Sequence, residues 1–269
     1  MSTSEHPVGT DPGQAAPDPT PPPTVRARLG RDLGAAIAVG VGLGAVVLAS
    51  LLLYPPGFVV VVAVAIVIGA VEFVRAVETV GARPPVVPLV LGCLSILALT
   101  WYRGQDGLIV GFMITVLVCV LWRLADGAGG YLRDISTTVF IVAYLPLLAG
   151  FAVLLVQPAD GPARVIAFIA TVVCSDVGGY AAGVLRGRHL LAPSVSPKKS
   201  WEGLAGSVVV AMVGGVLLLT LALAGTWWQG AVFGLAVAAT ATLGDLGESL
   251  VKRDLGVKDM GSILPGHGG

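Results

Sequence analysis

The chain has 269 residues, 55% of them hydrophobic and only 12% charged, with a mean hydropathy of +0.90. Soluble domains carry about 25% charged residues, so a water-soluble globular fold is excluded and a membrane protein is indicated. Basic and acidic residues balance at 16 each, which supplies no net positive field for nucleic acid, and no nucleic-acid partner is expected. Cys93, Cys119 and Cys174 stand alone in apolar runs, without the paired spacing of a zinc site or disulfide framework.

Residues 1–24 are rich in proline and nearly devoid of large apolar side chains. Such a composition cannot bury a core, and it lacks the basic start and apolar run of a secretory signal. The expectation is a disordered, Pro-rich, cytoplasmic N-terminal tail over 1–31, carrying Arg26, Arg28 and Arg31 at its end. Apolar segments follow at 33–53, 57–74, 86–100, 107–122, 135–156, 163–185, 204–225 and 230–251. A helix needs about 20 residues to cross a bilayer, so the third and fourth are short, and read as tilted or partly re-entrant partners. Tyr54-Pro55-Pro56-Gly57 separates the first two as a tight turn, and Pro146 predicts a kink inside the fifth. The fold expected is an all-α polytopic transmembrane helical bundle, with N-terminal helices over 32–160 and a C-terminal catalytic region over 161–269.

Charge placement supports this segmentation. With the N-terminus inside, every basic residue except Arg103 and Arg164 falls on inner segments, as the positive-inside rule requires. The expected location is the cell (inner) membrane, multi-pass, with the polar stretches 186–203 and 252–269 facing the cytoplasm. Glycines within the apolar segments, such as Gly40, Gly42 and Gly44, read as close helix packing. Glu72 and Arg75, three residues apart near a helix end, read as a local pair.

Three polar patches interrupt this pattern. In the last helix, Asp245, Glu248, Ser249 and Lys252 recur at steps of three and four and share one face. Asp245 lies about 10 Å deeper than Lys252 at ~1.5 Å per residue. A carboxylate at a membrane helix centre costs about 2.5–3.5 kcal/mol and marks a wet functional cavity more often than an accident. Asp176, within Cys174-Ser175-Asp176-Val177-Gly178-Gly179-Tyr180, is a second deep carboxylate, sharing a face with Tyr180 and Gly183. In Ser196-Pro197-Lys198-Lys199-Ser200-Trp201-Glu202-Gly203, serine before proline predicts a helix start at Pro197 capped by Ser196. Lys198 and Lys199 would then occupy a first turn whose dipole disfavours cations. Two readings stay open there: an anion such as phosphate bound at the helix N-terminus, or a basic loop drawn to anionic headgroups.

Deep carboxylates suit Mg²⁺, while lysines and arginines neutralise phosphate oxygens. No serine, cysteine and histidine set suggests acyl transfer, so metal-assisted phosphoryl or nucleotidyl transfer fits the residues best. An ion-coupled transporter, with Asp176 and Asp245 binding the ion, is the alternative of a different class. It leaves the lysine-rich patch unexplained, and no internal repeat of the transporter kind is evident.

The C-terminal run Ser249-x-Val251-Lys252-Arg253, then Lys258-Asp259-x-Gly261, then Leu264-Pro265-x-His267-Gly268-Gly269 resembles the signature of the phosphatidate cytidylyltransferases, the CDP-diacylglycerol synthases. The SDVGGY and SPKKSWEG stretches resemble that family's other motifs in order and separation. The similarity is strong from about residue 170 onward and weak before it. It implies a multi-pass enzyme joining CTP to phosphatidic acid, a membrane lipid, to give CDP-diacylglycerol and pyrophosphate. It implies Mg²⁺ as cofactor, with a second monovalent or divalent cation beside it, and homodimerisation as a family-level expectation. By the same route Asp245 and Asp176 are candidate metal ligands, and Asp245, Lys252, Asp176 and Asp259 candidate catalytic residues. Lys198, Lys199, Ser200, Glu202, Arg253, Lys258, His267 and Gly268 are candidates for substrate binding.

Two departures stand out. Met260 stands where relatives often carry a small polar residue. The chain also stops at Gly269, where the family pattern continues through an apolar residue, Asp-Arg, another Asp and a final membrane helix. The resemblance therefore implies a C-terminally truncated chain or an incomplete metal site, with a ninth segment missing. It predicts little or no CTP turnover by the 269-residue form; robust turnover by that form alone overturns the expectation.

Overall fold

The computed structural model describes residues 25–261, with side chains from residue 38 onward except that of Lys198. Of the predicted disordered tail over 1–31, residues 1–24 lie outside the described residues, as do the candidates His267 and Gly268, whereas 25–31 belong to the first helix. The chain forms α1 (Val25–Leu53), α2 (Pro55–Glu78), α3 (Val86–Leu124), α4 (Tyr131–Val142), α5 (Leu148–Val156), α6 (Gly161–Arg186), a short hairpin of β1 (Leu190–Ala192) and β2 (Ser196–Ser200), α7 (Trp201–Ala222) and α8 (Trp227–Asp254). Among the described residues, six helical stretches are long and apolar enough to cross a membrane. This is an all-α polytopic bundle.

α3 is nominally one element of 39 residues, about 58 Å if straight at ~1.5 Å per residue and far too long for a bilayer core of about 30 Å. It folds back on itself at Gly104, whose φ of 62° and ψ of −138° lie outside helical space. A Cβ on Gly92 would strike Thr115, one on Gly111 would touch Ile96, and one on Gly107 would collide with the Leu99 carbonyl. These contacts pair rising with falling residue numbers, so arms 86–103 and 105–124 run antiparallel. The two short apolar segments of the sequence are the two arms of this hairpin.

Pro146 acts as expected, but by widening the helix. It cannot donate to the carbonyl four residues back, and α4 passes into α5 through a π-helical turn, Ala143–Leu147, with Pro146 buried in it.

The second polar patch requires a correction. Ser196 does not cap a helix starting at Pro197, because Ser196–Ser200 is a β-strand. It pairs antiparallel with β1, Leu190 opposite Ser200 and Ala192 opposite Ser196. The cap belongs to Ser200, whose hydroxyl accepts from the Gly203 N–H at 3.1 Å. Glu202, an acid, then occupies the first turn of α7, where the dipole favours it. Both serines carry a start signal; the strand pairing takes the first and leaves the second.

Two packing units result. Ala70, Phe73, Val74 and Val77 of α2 build the main core with Leu89, Cys93, Ile96 and Ile141, and Val251, Leu255 and Met260 pack against it. α6, α7 and α8 form a trio that packs backbone against backbone. A Cβ on Gly178 would strike the Gly206 carbonyl and Val210, and one on Gly230 would strike Gly215 and Val216.

The basic helix ends gather at one end of the bundle. There Asp134, 1% exposed, accepts from the Arg83 N–H at 2.8 Å and from Arg123 Nε and Nη2, each at 2.9 Å. Arg123 also donates to the carbonyls of Gly127 and Gly129, at 3.3 and 2.6 Å. Arg103 and Arg164 lie at the opposite end, where Gln157 donates to the carbonyls of Thr100 and Trp101, both at 2.9 Å. Removing one partner of a buried pair strands the other charge. Asp134→Ala is expected to destabilise the protein by about 3–5 kcal/mol, read as a lowered Tm in detergent. The double change Arg123→Met/Asp134→Leu should recover much of the loss.

Candidate active site

Spacing along α6 places Asp176, Gly179, Tyr180 and Gly183 on one face, and that face opens on a cavity of about 220 Å³ at the basic end of the trio. Lys199 and Ser200 enter from β2, Gly203 and Ser207 from α7, and Thr242 and Asp245 from α8. The close glycine contacts let α7 approach α6 near enough for Ser207 Oγ to donate to the Ser175 carbonyl at 2.8 Å.

The central interaction is between Lys199 and Asp245. Lys199 Nζ donates to Asp245 Oδ2 at 2.6 Å, with side chains 28% and 57% exposed. An ammonium carries three N–H donors, so this bond leaves two for a ligand. Asp176 lines the same cavity, which holds two carboxylates against one ammonium and is therefore suited to a cation. Among the described residues no group of three or more His, Cys, Asp and Glu is gathered as a metal cluster.

Several other candidates organise the rim. Glu202 accepts from the N–H groups of Arg188 and His189, both at 3.2 Å, and meets His189 Nδ1 at 2.6 Å. Arg253 Nε donates to the Val195 carbonyl at 2.6 Å. The β1–β2 hairpin that carries Lys199 is thus held by the first turn of α7 and the last turn of α8. Lys252 pairs with Glu248 at 2.6 Å. Ser249 donates to the Asp245 carbonyl within its own helix.

Asp259 is placed apart. It lines a separate cavity with Glu72, Arg75, Thr79 and Met260, and Lys258 is exposed beside it. Residues not foreseen include Thr242, legible in principle because it lies three before Asp245 on the same helix, and Ser207, likewise legible four residues after Gly203 on α7. His189 as the partner of Glu202 had no local signal.

Fold and cavity together define a multi-pass membrane protein with a charged, cation-suited chamber at the basic end of a helical trio. A sequence profile described as the cytidylyltransferase family matches residues 34–269, and the chain belongs to that family. It is 44% identical over 261 residues to a phosphatidate cytidylyltransferase of Mycobacterium bovis, covering 92% of this chain and 85% of that one. A phosphatidate cytidylyltransferase of Mycobacterium leprae is 45% identical over 288 aligned positions, 97% of this chain and 92% of its own. One from Brucella suis is 33% identical over 165 residues, 60% of this chain and 58% of that protein.

The hairpin's tethers make a local prediction. Glu202→Ala leaves the Arg188 and His189 N–H groups without their acceptor, so trypsin should cleave after Arg188 faster than in the wild type while overall helicity is unchanged. Unaltered cleavage would remove Glu202 as the tether.

Proposed function

We propose that this protein is a phosphatidate cytidylyltransferase, converting CTP and phosphatidic acid to CDP-diacylglycerol and pyrophosphate. The observation that carries the reading is the meeting of Asp176, Asp245 and Lys199 in one cavity, in a chain of the cytidylyltransferase family. In the proposed reaction a phosphate oxygen of phosphatidate attacks the α-phosphorus of CTP. A new P–O–P bond forms, the bond from the α-phosphorus to its bridging oxygen breaks, and pyrophosphate leaves with the bonding electrons. Phosphatidate is itself a competent nucleophile, so no covalent enzyme intermediate is needed.

Such transfers depend on positioning and on neutralising charge. Lys199 holds Asp245 with one N–H and offers the others to phosphate oxygens. Ser200 has its hydroxyl committed to the Gly203 N–H as an acceptor but retains its own O–H to donate. Lys252 and Arg253, farther along α8 than Asp245, are proposed with Lys198 and Lys258 to supply positive charge to substrate phosphates.

Mg²⁺ fits the donors present. It prefers one or two carboxylates completed by water and substrate phosphates over an all-protein cage. Asp176 and Asp245 would hold it, and when bound it would neutralise phosphate charge. The basic end is proposed to face the cytoplasm, in the inner membrane, on the positive-inside rule. CTP then enters from water and phosphatidate from the bilayer.

The test is formation of CDP-diacylglycerol from radiolabelled CTP and phosphatidic acid in detergent micelles with Mg²⁺, by the full-length chain with the family's C-terminal continuation in place. Lys199→Ala and Asp245→Asn are each expected to lower kcat by about 100-fold or more, the scale set by removing one electrostatic stabiliser. Wild-type activity in either variant, or ion flux in liposomes with no lipid product, would overturn the proposal.

A further inference from the structure

Glu72 takes no part in the cavity around Asp176 and Asp245. It lies in α2, a helix otherwise apolar until its last turn, where Arg75 and Glu78 follow, and it is only 9% exposed. A buried carboxylate needs something polar beside it, and the structure supplies the C-terminal segment. α8 ends in a Schellman turn: Gly256, at φ 68°, donates to the Arg253 carbonyl at 3.1 Å and Val257 to the Lys252 carbonyl at 3.0 Å. That turn sends residues 257–261 across the end of α2. Leu255 and Met260 pack against the main core there, and Val257, Asp259 and Gly261 share a cavity with Glu72, Arg75 and Thr79.

The contact is closest at Gly261, where a Cβ would collide with the carboxyl group of Glu72. Here φ is not the reason for glycine. The reason is the approach of backbone to carboxylate: any side chain here would force the Glu72 carboxylate to shift.

We infer that Glu72 is a positioning residue: its carboxylate is the post on which segment 257–261 is seated, fixing Lys258 and Asp259 relative to the catalytic cavity. The activity readout of this inference rests on the proposed cytidylyl transfer; the seating itself does not. α2, from the half of the chain with the weaker motif content, thereby becomes part of the site's framework.

The test compares Glu72→Ala, Glu72→Gln, Gly261→Ala and the double variant Glu72→Ala/Gly261→Ala. Each is read by kcat for CDP-diacylglycerol formation and by tryptic cleavage after Lys258 in detergent micelles. Glu72→Ala and Gly261→Ala should each cost about 100-fold in kcat, the scale of an ångström's misplacement, and should release the 257–261 backbone so that trypsin cleaves after the already exposed Lys258 faster than in the wild type. The double variant should be no worse than either single one, because both remove the same contact. Glu72→Gln keeps the shape and an acceptor oxygen, so it should stay within several-fold of wild type with cleavage after Lys258 no faster.

A Glu72→Gln variant as inactive as Glu72→Ala, with cleavage after Lys258 no faster than in the wild type, would instead assign the carboxylate charge a direct role and overturn positioning. Full activity and unaltered cleavage in Glu72→Ala would overturn the seating. Should Glu72→Ala fail to fold, Gly261→Ala tests the contact from its other side, and unaltered behaviour there is equally fatal. Absence of CDP-diacylglycerol even in the full-length wild type with the family's C-terminal continuation would sink the cytidylyl reading, and the cleavage pattern alone would then decide the seating.

Discussion

Backbone-to-backbone contact within the α6–α7–α8 trio is the interaction on which the site depends. Helices in a bilayer gain little from apolar burial against one another, since lipid tails are as apolar as leucine, so close packing of small residues drives their association. Gly178 against Gly206, and Gly215 against Gly230, leave no room for a side chain between the helices. Without that approach the Asp176 face of α6 would not stand opposite Ser207 of α7 and Asp245 of α8.

Charge is then managed by geometry. The two carboxylates of the chamber meet an ammonium delivered by a β-hairpin, a more adjustable carrier than a third helix. The hairpin is itself bound at both edges, through Glu202 to its start and through Arg253 to its turn. Lys199 therefore reaches Asp245 from a scaffold fixed by two neighbouring helices. At the same end of the bundle Asp134 and Arg123 perform a purely architectural task, joining the α2–α3 and α3–α4 connections.

Much of this was legible from local pattern. Apolar runs marked the crossings, Pro146 marked the interruption between α4 and α5, and helical spacing placed Asp176, Tyr180 and Gly183 on one face, as the cavity bears out. Ser196-Pro197 misled because a capping signal is local, whereas a strand pairing is decided by a partner elsewhere in the chain. The bond between Lys199 and Asp245 spans 46 residues, and no periodicity encodes such a meeting. Glu72 read as the local partner of Arg75, and spacing gave no sign of the Gly261 backbone that closes on its carboxylate. Spacing reports which residues share a face; it is silent on what that face meets.

The reversal in α3 bears on how the protein is made. Arms 86–103 and 105–124 are joined through Gly104 alone, with Arg103 and Asp106 exposed at the bend. No linker exists that would let one arm settle in the bilayer before the other is committed. The pair is built to enter a bilayer as a single hairpin, and its tip carries charge of both signs. A lone arginine would be costly at such a tip, whereas Arg103 and Asp106 together bring it no net charge. The kinetics of biogenesis, and not only the finished packing, are thus written into one bend.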